Sequence, residues 1–276
     1  MKEQLLTLRG AKIYIKTMGT GKPLVFLHGG PGGEHRFFLP HVEELANSFQ
    51  LVFYDQRGCG SSEKIEDESK YTIHEEIETL EELRQQMGIE KLSLIGESWG
   101  SMLALAYATT YPDHVEKIVL TAAVGATGEA LKEFGKELKL RLTAADKVAF
   151  DTAINNLQTG KGTVKEIFAV LDPYYVYSPD ALLKKTNTAS NEVVNRVLGA
   201  DISASYDVRE SLQKLAHIPV LILQGEHDLI TPSKLDELLL QYIPNKTLVV
   251  LERCGHWTVV ERPQRFNEEV MRFIQQ

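Results

Sequence analysis

The stretch LSLIGESWGSM, residues 92–102, changes from apolar to tightly turning to polar within a few positions. Its first residues suit a buried strand, and the alanine- and leucine-rich segment behind it is typical of a helix. Between them, residues 96–100 match the pattern Gly-x-Ser-x-Gly. A sharp turn from strand to helix needs small residues on both sides of the serine. The stretch therefore predicts that Ser98 stands at a helix amino terminus, where the backbone favours developing negative charge.

Short apolar runs alternate with helix-length amphipathic segments along most of the chain. Valine-, isoleucine- and leucine-rich strands separated by helices predict an α/β fold with a mostly parallel central sheet and helices on both faces. The runs 12–18 and 23–29 lie too close together for a crossover helix, so we expect them to form an antiparallel hairpin at the sheet edge. Helical patterns follow at 37–49 and 72–88.

Residues 126–205 interrupt this alternation. They show several helical patterns and no convincing core strand, and the strand pattern resumes at Ile218. We therefore expect a catalytic core formed by residues 1–125 and 206–276, with a helical cap, residues 126–205, inserted between two core strands. The alternative is that these helices are simply more of one globular fold.

Composition and charge exclude several classes of function. The 276 residues carry a net charge of −8, which argues against a nucleic-acid partner because phosphate binding needs a cationic face. No apolar run approaches the roughly 20 residues of a membrane span, and the first residues lack the apolar core of a signal peptide. The two cysteines, Cys59 and Cys254, form no disulfide framework or metal motif. We expect a cytoplasmic protein without cofactor, metal or membrane partner.

A serine hydroxyl is a weak nucleophile until a base takes its proton, and the base needs an orienting acid. In the predicted fold these groups follow in the order serine, acid, histidine. Asp228 comes just after the apolar run VLILQG, and His256 lies in the loop after the next apolar run. Glu226 is an alternative acid, but it lies nearer the strand end. The order and placement predict a triad of Ser98, Asp228 and His256.

Acyl transfer also requires hydrogen-bond donors for the oxyanion. The turn at the serine offers the backbone amide of Trp99. The glycine-rich turn HGGPGG, residues 28–33, follows an earlier strand, and the bare backbone at Gly29 and Gly30 suits close approach to a substrate. An ordinary Gly-Pro turn explains some of these glycines but not their position. No Gly-Lys-Ser/Thr follows, which excludes a phosphate-binding loop.

The motifs HGGPGG, DQRGCGSS (55–62) and GESWGS (96–101), followed by GEHDLITP and CGHW, together resemble those of proline iminopeptidases of the α/β-hydrolase fold. The resemblance implies that Ser98, Asp228 and His256 are the nucleophile, the acid and the base. It also implies that Gly30 and Trp99 donate the oxyanion amides and that the helical insertion is the family's cap.

The sequence departs from the family pattern around the substrate. These enzymes bind the substrate's free amino terminus through glutamates in or near the cap, and some have a glutamate where this chain has Leu229. The more usual GGSWG is GESWG here, so Glu97 is a candidate substrate ligand, together with Tyr174, Tyr175 and Glu192. The glutamates of the predicted cap also fit solvated helix faces; they are Glu129, Glu133, Glu137, Glu166 and Glu192.

Three functions are compatible with this sequence. The first is a serine hydrolase that releases N-terminal proline from small peptides. The second keeps the mechanism but cleaves small apolar esters or lactones, which Leu229 favours and the glycine-rich motifs oppose. The third is a non-catalytic small-molecule binder on a hydrolase fold. The sequence predicts a small-molecule or short-peptide substrate and does not indicate an oligomeric state.

Overall fold

The computed structural model describes residues 1–276, and its centre is one eight-stranded sheet in the order β1-β2-β4-β3-β5-β6-β7-β8. Only β2 runs against the direction of the other strands. The predicted α/β fold with a mostly parallel sheet is confirmed. The strands are β1 (Lys2–Leu8), β2 (Ala11–Met18), β3 (Pro23–Leu27), β4 (Gln50–Tyr54), β5 (Leu92–Glu97), β6 (Val115–Thr121), β7 (Val220–Gly225) and β8 (Lys246–Leu251).

Nine α-helices connect and cover the strands. They are α1 (Ile73–Gln86), α2 (Trp99–Thr110), α3 (Gly128–Arg141), α4 (Ala144–Gln158), α5 (Val164–Tyr175), α6 (Glu192–Ser205), α7 (Pro232–Leu238), α8 (Thr258–Glu261) and α9 (Pro263–Gln275). None of them combines the length and the apolarity that crossing a membrane requires.

Each central strand buries both of its faces, as expected for a parallel sheet between two layers of helices. Side chains alternate along β3, so that Val25 and Leu27 join one apolar core while Leu24 and Phe26 join the other. Helices α1 and α2 pack on the first face, and α9 packs on the second through a stripe of residues four apart. The candidate site lies at the carboxyl ends of these densely packed central strands.

The predicted pairing of 12–18 with 23–29 is wrong. β2 pairs with β1 through a two-residue turn, in which Arg9 and Gly10 both have positive φ (49° and 77°), as a type I′ hairpin requires. β4 then lies between β2 and β3. β1 shows the alternation of a strand: Gln4, Leu6 and Leu8 are partly or fully buried, whereas Glu3, Leu5 and Thr7 are exposed.

The predicted helix at 37–49 is also wrong. The chain instead forms two short 3₁₀ turns, His35–Phe38 and Glu43–Asn47. Pro40 explains the break, because it has no N–H to donate and restricts the residue before it to extended conformations. The prediction at 72–88 corresponds to α1.

Helices α3 to α6 lie between β6 and β7, the segment that the sequence assigned to a cap. The two ends of this segment meet at a bridge between Thr127 and Asp207, and Gly128 N donates to Tyr206 O at 2.7 Å. Helix α6 nevertheless buries Leu198 and Ile202 in the main core. We keep a cap at 126–205 as a proposal, with α6 as the helix that attaches it to the core.

Candidate active site

The backbone at Ser98 has the strained conformation that the sequence predicted. Ser98 has φ 52° and ψ −117° and stands directly before α2. A methyl group on Gly96 would lie 2.3 Å from the Gly100 carbonyl oxygen, and one on Gly100 would lie 2.0 Å from that of Leu27. Neither glycine can therefore carry a side chain without moving the backbone. The turn holds the Ser98 hydroxyl out from the end of β5.

Ser98, His256 and Asp228 form one continuous chain of hydrogen bonds. His256 Nε2 lies 3.0 Å from Ser98 Oγ, and His256 Nδ1 lies 2.9 Å and 3.0 Å from the two carboxylate oxygens of Asp228. Asp228 is fully buried and His256 nearly so. This arrangement suits proton transfer from the hydroxyl to Nε2 while Nδ1–H remains bonded to the carboxylate.

Neighbouring groups fix the acid in place. Gln224, near the end of β7, donates its side-chain amide to Asp228 Oδ2 at 2.9 Å, and Ile230 N donates to Oδ1 at 3.2 Å. Arg141, at the end of α3, donates to the carbonyl oxygens of His227 and Asp228 at 2.9 Å and 2.6 Å. The acid loop is thus held from below by the sheet and from above by an inserted helix.

The histidine loop is held by a second buried acid. Glu261 accepts hydrogen bonds from the backbone amides of Tyr177, Ser178 and Gly255. His256 N donates to the carbonyl oxygen of Tyr175 at 2.6 Å. The end of α5 and the His256 loop are therefore fastened together, which sets the height of the imidazole above Ser98.

The electrostatics favour a histidine that accepts a proton. Burial disfavours the imidazolium, but the negative charges of Asp228 and Glu97 outweigh that cost and raise the pKa of His256, while Arg141 opposes them. Burial also raises the pKa of the Glu97 carboxyl to about 7. Two acids therefore face the imidazole: Asp228 through a hydrogen bond, and Glu97 across the site.

The glycine-rich turn after β3 borders Ser98, with Gly29 and Gly30 lining the same cavity. At Gly30 a positive φ of 128° and the close amides of Gly32 and Gly33 leave no room for a side chain. Trp99 begins α2; its ring is fully buried, and its backbone amide stands at the helix amino terminus. These positions are compatible with the predicted oxyanion donors.

The motif at 55–62 supports this turn from below. Gln56 donates its side-chain amide to the carbonyl oxygen of His28 at 2.8 Å and its backbone N–H to His28 Nε2 at 3.0 Å. The indole N–H of Trp99 donates to the Gln56 side chain at 2.8 Å. One glutamine therefore joins the two backbone segments that would hold the oxyanion.

Helix α6 holds the same turn from the other side. Asn191 N donates to the carbonyl oxygen of Gly32 at 2.9 Å, and its side chain donates to that of Gly58 at 2.8 Å. Asn195 donates to the carbonyl oxygen of Pro31 at 2.9 Å. The sequence prediction missed these asparagines, Gln224 and Glu261. The asparagines and Glu261 bind mainly groups that are distant in the chain. Gln224 instead binds Asp228 four positions later, and its buried position at a strand end was a local signal.

A cavity of about 750 Å³ opens above Ser98 and His256. The inserted helices form much of its wall, so a substrate would lie between them and the sheet. Phe134 packs against the imidazole with ring centroids 4.8 Å apart, and Tyr175 stacks on Trp257 at 6.1 Å. The aromatic residues that line it are Phe37, Phe134, Phe168, Tyr175 and Trp257.

Three of the four predicted substrate residues line the cavity, and one does not. Glu97, Tyr175 and Glu192 line the cavity, although Glu192 is exposed at its rim. Tyr174 does not line it, contrary to the prediction, because its hydroxyl donates to Asp146 on α4. Successive residues near the end of α5 point to different sides of the helix, and the sequence alone did not show which tyrosine faces the serine.

The other predicted glutamates are engaged elsewhere. Glu133 and Glu137 pair with Lys234, Glu129 pairs with Lys132, and Glu166 caps its own helix. Leu229, at the position where some family members have a glutamate, is buried among apolar side chains of the inserted helices.

One buried cluster brings together the kinds of atoms that bind metals. Glu34, His35 and Asp55 place their ligating atoms within 4.8 Å of one another. These atoms already have partners: His35 Nδ1 bonds Asp55 Oδ1 at 2.7 Å, and Glu34 accepts two hydrogen bonds from Arg36. The cluster joins the turn after β3 to the loop after β4. Cys59 and Cys254 are both free and buried.

A family model described as the alpha/beta hydrolase fold matches residues 22–263. The chain belongs to this family and is an enzyme of the α/β-hydrolase superfamily. Within the superfamily it is similar to proline iminopeptidases, as the motifs predicted. The proline iminopeptidase of Saccharolobus solfataricus is 30% identical to it over 97% of this chain and 90% of the relative.

Solved structures share the fold. An α/β fold family hydrolase from Bacillus anthracis str. Sterne superposes with a TM-score of 0.80 at 24% identity, covering 98% of each chain. Proline iminopeptidase of Mycobacterium smegmatis superposes with a TM-score of 0.74 at 21% identity, covering 100% of this chain and 98% of the other.

Proposed function

We propose that this chain is a serine hydrolase in which Ser98 is the nucleophile, His256 the general base and Asp228 the orienting acid. The observation that carries the proposal is the continuous hydrogen-bond chain from Ser98 Oγ through His256 to Asp228. His256 takes the hydroxyl proton as Ser98 attacks the carbonyl carbon, and Asp228 stabilises the imidazolium. His256 then returns the proton to the leaving group and activates water to cleave the acyl-enzyme.

The oxyanion would be bound by backbone amides on both sides of Ser98. Trp99 would donate from the helix amino terminus, and Gly29 or Gly30 from the glycine-rich turn. Donors of this kind lose no freedom during the reaction, because Gln56, Asn191 and Asn195 already hold the glycine-rich turn and Gln56 also binds the indole of Trp99.

The favoured substrate is a small peptide with N-terminal proline. What supports it is the 30% identity to a proline iminopeptidase over nearly the whole chain. An aromatic-lined cavity of about 750 Å³ also suits the apolar proline ring and a short peptide. A small ester or lactone is the second candidate, because Leu229 replaces a family glutamate and is buried away from the cavity.

Three measurements on the purified protein test this proposal. A fluorophosphonate probe should label the wild type and not Ser98→Ala. L-Proline β-naphthylamide should be hydrolysed, and Ser98→Ala should lower kcat at least about 10⁴-fold while its circular dichroism and melting temperature stay unchanged.

Each contrary result has a definite meaning. Full activity in folded Ser98→Ala would contradict the assignment of the nucleophile. Rapid hydrolysis of p-nitrophenyl butyrate without release from the prolyl amide would favour the esterase. A wild-type protein that neither labels nor hydrolyses either compound would be a binder.

A further inference from the structure

Glu97, directly before the proposed nucleophile, is a buried carboxylate without a cationic partner. It is only 5% exposed, and its side chain lines the cavity beside Ser98. It makes no salt bridge and no hydrogen bond with another side chain; the nearby groups that act on it are His256, Asp228 and the backbone of Gly29. A buried charge without a partner is costly, so such a group either binds a ligand or loses its charge.

The other carboxylates of the cavity differ from Glu97. Glu34 accepts two hydrogen bonds from Arg36, and Asp172 pairs with Lys185 at 2.7 Å. Glu192 is exposed at the rim. Glu97 is therefore the one cavity carboxylate that is both buried and free to receive a cation from a substrate.

The backbone places this carboxylate close to the reacting atoms. A methyl group on Gly29 would lie 2.1 Å from Glu97 Oε2 and 3.2 Å from Ser98 Cβ. The carboxylate and the nucleophile therefore approach the same bare backbone carbon. A substrate group that reaches Glu97 must lie very near the carbonyl that Ser98 attacks.

We propose that Glu97 binds the ammonium group next to the scissile carbonyl, so that the enzyme selects α-amino acyl substrates from the base of the cavity. In such substrates the nitrogen is two bonds from the carbonyl carbon, which is about 2.5 Å by covalent geometry. The ammonium of a lysine side chain is several bonds further from the carbonyl carbon. The inference rests on the proposed function and specifies its substrate class.

The charge state of Glu97 agrees with this role. Its pKa of about 7 means that the free carboxyl changes charge near neutrality, and a bound ammonium would keep it ionised. Hydrogen bonds between two charged groups are about twice as strong as neutral ones.

Binding to protein that cannot turn over tests the inference. L-Prolinamide and cyclopentanecarboxamide have the same ring size and carboxamide, but only the first has an amine. In Ser98→Ala protein at about pH 7.5, ligand-observed NMR should give prolinamide a Kd at least about tenfold lower. Adding Glu97→Gln, or Glu97→Met as a second neutral side chain, should make the two Kd values about equal. The matched control is Glu129→Gln, which removes a charge from α3 at a side chain that is 76% exposed. This variant should keep the tenfold difference between the two Kd values.

Turnover provides the second readout. In Glu97→Gln with Ser98 intact, the ratio of kcat/KM for prolyl β-naphthylamide to that for p-nitrophenyl butyrate should fall ten- to hundredfold. Equal affinity of Ser98→Ala protein for both amides, or an unchanged kcat/KM ratio in folded Glu97→Gln, would overturn the inference and leave the peptidase proposal standing. If binding is selective for the amine and depends on Glu97, but the prolyl amide is not hydrolysed, the proposed peptidase activity would be wrong and Glu97 would remain an amine ligand.

Discussion

The sheet and the inserted helices build the site in different ways. All six residues of β5 are buried, and so is nearly all of α2, whereas Ala153 is the one buried residue of α4. Leu140 and Val148 of the inserted helices are 64% and 67% exposed. The groups that need fixed geometry therefore lie on the densely packed part. Much of the cavity wall lies on the loosely packed part, where substitutions are tolerated more readily.

The two parts meet at the proposed triad. Arg141 bonds the backbone of the Asp228 loop, and Tyr175 accepts a hydrogen bond from His256 N. The insertion therefore contacts the loops of Asp228 and His256 through hydrogen bonds to their backbones and through the ring of Phe134. The proposed catalytic side chains themselves come from the core. If this division of roles holds, changes to the core should affect activity and stability more than matched changes to the insertion.

The largest difference is expected between Asp228→Asn and Arg141→Met. Asn cannot stabilise the imidazolium and favours the wrong tautomer of His256, so kcat should fall about 10⁴-fold. Arg141→Met removes two hydrogen bonds to the same loop but leaves the carboxylate, so its loss should stay within about tenfold. Steady-state kinetics on prolyl β-naphthylamide measures both. Equal losses would mean that the insertion is as essential to the chemistry as the core.

Adding one methyl group should affect the stability of the two parts in opposite directions. Gly100→Ala forces a methyl group against the Leu27 carbonyl oxygen and should lower the free energy of unfolding by about 1–3 kcal/mol or more. Gly135→Ala, in α3, meets no atom within 4 Å and should raise it by about 0.5–1 kcal/mol. Urea denaturation measures both. A stable Gly100→Ala would show that the turn at Ser98 relaxes more easily than its packing indicates.

The smallest effect is a shift along the pH axis. His256 acts as a base only when neutral, and its pKa is raised above the ordinary 6.5, so the rate of fluorophosphonate labelling should fall as pH drops through a midpoint above that value. Glu97→Gln removes one of the charges that raise this pKa and should move the midpoint to lower pH. Glu129→Gln, on the exposed face of α3, should leave the midpoint in place. Identical midpoints in all three proteins would contradict the electrostatic role of Glu97.

Local patterns were sufficient to predict the fold class and the place of each proposed catalytic side chain. Gly96 and Gly100 marked the turn at Ser98, and the ends of two apolar runs marked the loops of Asp228 and His256. These predictions succeed because parallel strands bring their carboxyl ends to one edge of the sheet. The geometry brings the three side chains within hydrogen-bond distance.

Features that depend on distant partners were not predictable. Two of the three amides that Glu261 binds are more than 80 positions away, and Asn191 binds two glycine-rich loops of the core. The predicted pairing of β2 with β3 was wrong for the same reason, because β4 lies between these two strands in the sheet. The prediction for Tyr174 was wrong because no nearby turn residue shows which side of a helix faces the site.

The bridge between Thr127 and Asp207 fixes where the inserted segment joins the core. Paired backbones lie about 4.8 Å apart, so the inserted segment leaves and re-enters the core at almost one point. A segment of any length that closes on the same pair leaves the paths of β6 and β7 unchanged. Helix α6 sets the limit of such an exchange, because Leu198 and Ile202 belong to the main core. Replacing the helices from α3 to α5 as a unit would therefore keep the core strands in place and change the cavity wall, provided that the new segment restores the contacts of Arg141 and Tyr175 with the loops of Asp228 and His256.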